Sequence, residues 1–254
     1  NVTEIWVTGG AYKPDQGNGQ QSGNRAATFQ LLGGVAIYGG VPGQPGQEGN
    51  FSVRNPAVYV TVLNGDLAGN DGLNFAGNGE NSYHVATGSG TNSTASLDGF
   101  TLTAGNADGP CCFHDRGGGM YIRPGSPTVV DCLFVSNSSH NSGGGVVIIQ
   151  GDPTVIGCAF RRNVAITDNG GVIRIGIAIS PTVMDCVFSG NATGGSGGGL
   201  SNSLSNMNTV TDCTFSNNSA GVFGGGMFNS PGASVAGCTF LGNTAPQGGG
   251  MLIS

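Results

Sequence analysis

VVDCLFVSN at residues 129–137 returns as VIGCAFRRN at 155–163, VMDCVFSGN at 183–191, VTDCTFSNN at 210–218 and VAGCTFLGN at 235–243. All five obey V-x-[DG]-C-x-F-x-x-N, and Cys132, Cys158, Cys186, Cys213 and Cys238 follow one another at intervals of 26, 28, 27 and 25 residues. Four fixed positions in five copies mark an internal repeat, which takes precedence over any local reading of helix or strand. A glycine cluster separates the copies (117–119, 143–145, 170–171, 197–199, 224–226, 248–250), and each cluster is followed by an apolar residue: Met120, Val146, Val172, Leu200, Met227, Met251.

The unit reads as one turn of an all-β solenoid, a single-stranded right-handed parallel β-helix. Cys and Phe are two apart, so one strand points both to the same face. The Val three residues before Cys needs a bend at the intervening Asp or Gly to join them inside. One coil cannot bury its own apolar positions, whereas stacked coils place like over like at about 4.8 Å. This predicts a phenylalanine stack (Phe134, Phe160, Phe188, Phe215, Phe240) and a cysteine column. It also predicts an asparagine ladder (Asn137, Asn163, Asn191, Asn218, Asn243), placed at a turn where Asn tolerates the left-handed conformation. Helical repeats are excluded by glycine triplets and β-branched residues in every period.

The F-x-x-N and G-G-[AILMV] elements of residues 117–254 resemble the repeats of the polymorphic outer-membrane protein family and related bacterial extracellular right-handed parallel β-helix surface proteins. The resemblance implies extracellular display, often adhesion, and brings no catalytic residues.

Residues 1–116 carry fragments of the period. EIWVTGGAYKP (4–14), TFQLLGGVAIYGGVPG (28–43) and AVYVTVLNGDLAGNDG (57–72) are short β-rich runs ended by Gly or Pro. SLDGFTLTAGNA (96–107) puts Phe100 and Leu102 in the places of Cys and Phe. The expectation is one domain over 1–254, irregular coils with loop insertions over 1–116 and regular coils over 117–254, about eight or nine coils in all. Residues 15–24, 42–55 and 69–81 are the predicted protrusions.

Composition agrees with an ordered, turn-rich chain: 50 of 254 residues are glycine, 37% are hydrophobic and only 9% charged. The net charge is −6, Lys13 is the single lysine, and eight scattered basic residues do not make a phosphate-binding surface. Nucleic acid is therefore not an expected partner. No apolar run reaches the roughly 20 residues of a membrane span. An extracellular or cell-surface location is the compositional expectation.

Candidate sites divide by chemistry. The five repeat cysteines read as buried free thiols, with inter-coil disulfides as the alternative; zinc would need clustered C-x-x-C pairs. Cys111 and Cys112 sit in an inserted loop and could bridge locally or to another chain. Asp66, Asn70 and Asp71 in GDLAGNDG (65–72) offer hard oxygen donors to calcium, with a turn as the plainer reading; no other cofactor is expected. His84, His114 and His140 share no spacing and read as incidental. Asparagines in N-x-[ST] sequons are Asn1, Asn50, Asn92, Asn137, Asn191 and Asn217, of which Asn137 and Asn191 belong to the ladder.

Polysaccharide cleavage is the enzymatic alternative, since pectate-lyase-like β-helices need positioned carboxylates or an Arg or Lys base with calcium-binding acids. Asp131, Asp185 and Asp212 share one corner, but Gly157 and Gly237 take that place in sister coils, so the position reads as structural. Arg161, Arg162 and the Asp115–Arg116 pair form no recognisable site. The expected protein is a non-enzymatic structural surface or fibre component, with an adhesin or glycan-binding passenger as the other reading. The chain begins at Asn1 without a signal peptide, as expected of a processed form or a segment. It stops at GGGMLIS, just after a new coil begins; the expectation is that either the polypeptide continues or this end docks head to tail onto the start of another copy.

Overall fold

The computed structural model describes residues 2–43, 51–110, 113–167, 170–177, 180–202, 208–229 and 231–254. Among them, three eight-stranded sheets run the length of the molecule beside one five-stranded sheet, and every strand pair is parallel. The valine sheet starts with Glu4–Thr8 and ends with Ser234–Ala236. The phenylalanine sheet starts with Gly10–Tyr12 and ends with Thr239–Leu241. The third sheet runs from Phe29–Gln30 to Met251–Ile253. Strands from residues 4 to 253 thus share the same sheets, eight coils deep. The short fourth sheet begins only in the third coil, with Asn106–Ala107. Besides strands the described residues contain three single 3₁₀ turns.

The register shifts once, between Trp6 and Thr8 in the first coil, and is uniform in the regular coils. Phe134 pairs with Phe160, Phe160 with Phe188, Phe188 with Phe215 and Phe215 with Phe240. The rings stack in one column with centroids 4.8, 4.9, 4.6 and 4.9 Å apart and planes within 8°. Leu102 continues the column below Phe134. The first four rings are fully buried, together with Val129, Val155, Val183 and Val210. Each such side chain contributes about 1.5–3 kcal/mol by leaving water.

A left-handed corner makes this core possible. Asp131, Gly157, Asp185, Asp212 and Gly237 all have φ between 49° and 65°. That single reversal brings Val and Cys, three apart, to the same side. Aspartate and glycine fill this corner; a Cβ on Gly157 would collide with Asp131 Oδ1, and one on Gly237 with Asp212 Oδ1, whereas Asp185 and Asp212 stand in successive coils.

Beyond the phenylalanine strand, Asn137, Asn163, Asn191, Asn218 and Asn243 form a continuous chain of buried hydrogen bonds. Each of the first four donates its backbone N–H to the Oδ1 of the next (3.0, 3.0, 3.1 and 2.9 Å). Each Nδ2 reaches back to a carbonyl of the preceding coil, Leu102, Phe134, Phe160, Phe188 and Phe215 in turn. The ladder begins at Gly105, whose N–H donates to Asn137 Oδ1.

Two expectations need correction. The ladder asparagines are not left-handed; the residue before each is, namely Ser136, Arg162, Gly190, Asn217 and Gly242. The turn is made one position early so that the amide faces inward. Val172 is not the counterpart of Val146 and Leu200, because Ile173 pairs with both. Only two glycines precede Val172, so it fills the place of the third glycine and the strand begins one residue later.

Candidate functional site

The regular coils turn their reactive groups inward. Cys132, Cys158, Cys186 and Cys213 are buried free thiols and Cys238 a partly buried one. Their Sγ–H groups donate to carbonyls of the preceding coil, such as Val129, Val155 and Val183. Burial pushes the Cys158 thiol well up, and the Cys186 sulfur together with burial pushes up that of Cys213. The Cys158 and Cys213 side chains, by hydrogen bonding to its sulfur, pull Cys186 down, and the first four thiols are closed off from solvent. Cys111, Cys112, Asn1 and Asn50 lie outside the described residues. Asn92 and Asn217 are exposed, whereas Asn137 and Asn191 are buried.

Groups at the surface of the regular coils are dispersed. Asp131, Asp185 and Asp212 stand exposed at the corner, and Arg161 and Arg162 are exposed on the next edge. Burial and the charge of Asp98 raise Asp131, partly offset by Arg54. Asp115 is buried, and its carboxylate accepts from Arg116 (2.9 Å) and from Asn141 (3.2 Å). Burial opposes this, but those donors hold Asp115 below its ordinary value. The pair is a tie between coils.

The histidines are a different case, since the fold brings together two of the three read as incidental. The rings of His84 and His114 lie 5.7 Å apart; Tyr83 stacks on His114 at 4.4 Å, and Tyr121 is 5.0 Å from His84. Arg25 covers the far face of this group, 4.3 Å from the Tyr83 ring. His84 Nδ1 pairs with the Gly117 carbonyl at 3.0 Å. Burial drives its pKa down to about 4, with His114 adding to the fall and the Gly117 carbonyl opposing it. His140 is exposed and apart.

Among the described residues, a concentrated cluster of carboxylates lies in the second coil. Thr61–Asn64 and Ala86–Thr87 are separated by a long insertion, and Gly65 and Ser82 close its base. Ser82 N–H donates to Gly65 O at 2.9 Å, and Arg25 Nε holds the Asn81 carbonyl at 2.6 Å. Within the loop, Asp66 accepts the backbone N–H groups of Gly69 (2.5 Å), Asn70 (3.2 Å) and Asp71 (3.2 Å). Burial favours the neutral acid, but those three donors, with Lys13 nearby, hold Asp66 below its ordinary value. The carboxylates of Asp66, Asp71 and Glu80 come together with oxygens within 4.8 Å of one another. Burial raises both Asp71 and Glu80; Asn81 partly offsets this for Asp71, the Ala68 N–H for Glu80, and Asp66 adds to each rise. Asn70 is exposed with its Oδ1 against Gly77, so the third acidic member is Glu80, which the sequence reading did not include.

Asp66 and Asp71 line one wall of a cleft of about 330 Å³. The other wall is built from the left-handed column Ala104, Ser136 and Arg162, one residue from each of three successive coils. Leu73 and Phe75 form the lip. The cleft thus has a negative side on a loop and a guanidinium on the rigid coil. The three carboxylates gather oxygens within 4.8 Å of one another, an arrangement that suits a cation or a small polar group.

Stacked parallel coils with inward ladders and one decorated loop define a β-solenoid repeat protein. The family described as the right-handed β-helix region matches residues 60–254, and the chain belongs to it. No curated protein and no solved structure was found to match the chain. No helix among the described residues is long and apolar enough to cross a membrane.

Proposed function

We propose that the chain is a non-enzymatic structural rod, displayed outside the cell, of the kind built from polymorphic outer-membrane protein-type repeats. The observation that carries this reading is where the polar chemistry goes in the regular coils. Asn and Cys are used up inside as ladders, aspartate and glycine make corners, and the first outward position of the valine strand keeps a hydroxyl coil after coil, at Thr128, Thr154, Thr182 and Thr209. The uniform register adds a second support. A coil joins its neighbour by the same pairing throughout, so a copy can add head to tail without a covalent link.

A lyase assay at 235 nm on uronate polymers, with and without calcium, tests the non-enzymatic part. No absorbance change is expected; turnover lost in Asp71→Asn would overturn the reading. Electron microscopy of the purified chain is expected to show end-to-end filaments, and isolated short rods at every concentration would remove self-assembly. The cleft between Asp71 and Arg162 favours one other reading, a glycan-binding passenger, for which a glycan array is the direct assay.

A further inference from the structure

We propose that the loop 66–81 is a calcium site, with Asp66, Asp71 and Glu80 as the carboxylate ligands and the Asn81 side-chain oxygen as a neutral one.

Two independent observations meet here. The first is the size of the oxygen cluster. Calcium holds its ligands at about 2.3–2.6 Å, so oxygens across the ion are about 4.6–5.2 Å apart. The three carboxylates offer oxygens within 4.8 Å of one another, the span of one such sphere. The second is a pair of buried oxygens that the protein leaves without a hydrogen bond, Glu80 Oε1 and Asn81 Oδ1. Asn81 is only 1% exposed, and its amide already touches the cluster through Nδ2, which donates to Asp71 Oδ2 at 2.8 Å. A buried acceptor left unmade costs about 1–3 kcal/mol, and nothing in the loop repays it. A half-turn of the amide brings Oδ1 to the Asp71 side. That turn is repulsive beside bare carboxylates and favourable around a cation.

The donor set selects the metal. It is all oxygen, without histidine or thiolate, which disfavours zinc. It is mounted on irregular backbone, with Asn74 and Phe75 both at positive φ, and calcium tolerates such geometry better than magnesium does. Asp66 has a double role. Its two oxygens gather the N–H groups of residues 69–71, which brings Asp71 back over it, while lone pairs remain for a metal. Lys13 offsets the site only in part: its Nζ donates to the Leu67 carbonyl at 3.1 Å, and its charge lowers Asp66, leaving one cation against three carboxylates.

The test is titration of chelator-stripped protein with calcium chloride alone, read by calorimetry and by thermal unfolding. One calcium per chain is expected, with a dissociation constant between about 10 μM and 1 mM, and a rise in melting temperature. Glu80→Gln and Asp71→Asn are each expected to weaken binding at least tenfold. In chelator both variants should melt no lower than the parent chain, because each removes a repulsive charge. Absence of binding up to about 10 mM calcium would overturn the proposal. So would Gln and Asn variants that bind as well as the parent, or that melt lower in chelator while calcium leaves the parent unchanged, for then the carboxylates are only loop ties.

Discussion

The coils before and after residue 117 share the same three sheets but use their side chains in opposite ways. After 117, each coil repeats one arrangement, and its ladder asparagines satisfy each other from coil to coil. Before 117, the ladder positions are taken by Leu102 and Gly105, and long insertions follow Tyr12, Val41 and Asn64. The stacked rings and amides stabilise the regular part, whereas contacts between loops hold the irregular part. Arg25 is the plainest example, bonded to Asn81 and Asn106 and stacked on Tyr83. Uniform repetition leaves little surface free for chemistry; departures from it supply that surface.

The sharpest way to break this contrast is Phe188→Asp. The ring lies between Phe160 and Phe215 with no exposed surface. A buried unpaired carboxylate there costs well over about 4 kcal/mol and should abolish the cooperative melt seen by circular dichroism. Ser216→Asp, on the neighbouring outward position, should melt within a few degrees of the parent chain.

Next in size is Asn191→Ala. It removes the acceptor for both Asn163 N–H and Asn163 Nδ2 and the donor to Phe160 O. With each orphaned buried group at about 1–3 kcal/mol, a loss of about 4 kcal/mol is expected in denaturant titration. A loss below about 1 kcal/mol would mean that the ladder is ornamental.

The smallest effect belongs to the irregular part. Between the ordinary histidine value of 6.5 and the value of about 4 for buried His84, the unfolded chain holds more protons than the folded one. Stability contributed by the neutral ring is therefore complete above pH 6.5 and falls as pH drops toward 4, by about 3 kcal/mol. Denaturant midpoints at pH 7 and pH 4 should converge in His84→Gln relative to the parent; an unchanged pH slope would show that the ring is not buried in solution.

What could be read in advance follows the same division. The period exposed the stacking residues because each coil must present the same side chain to the next, so Phe134 to Phe240 and Asn137 to Asn243 declare themselves by spacing. The corner at Asp131 was legible for a similar reason, since only a reversal reconciles Val and Cys three apart. The turn before each asparagine was not, because Ser136 and Arg162 carry no residue-type signal for positive φ. Nor was the pairing of His84 with His114 or the arrival of Glu80 and Asn81 beside Asp66. These meetings depend on how insertions of unequal length close upon the rod. An acidic residue at the closing end of the 65–82 loop was the available clue.

The unvarying register has a consequence for how such a molecule is made. Each strand in the regular part pairs with residues one coil away, a separation of 25 to 28 residues between successive cysteines whatever the total number of coils. Lengthening the rod therefore adds no longer-range search, and the rate of folding need not fall as topology-limited folds do when their partners grow distant. A finished coil is the template for the one that follows it, so a polypeptide threaded end-first through a narrow pore can fold vectorially on the far side, each new turn helping to draw out the next.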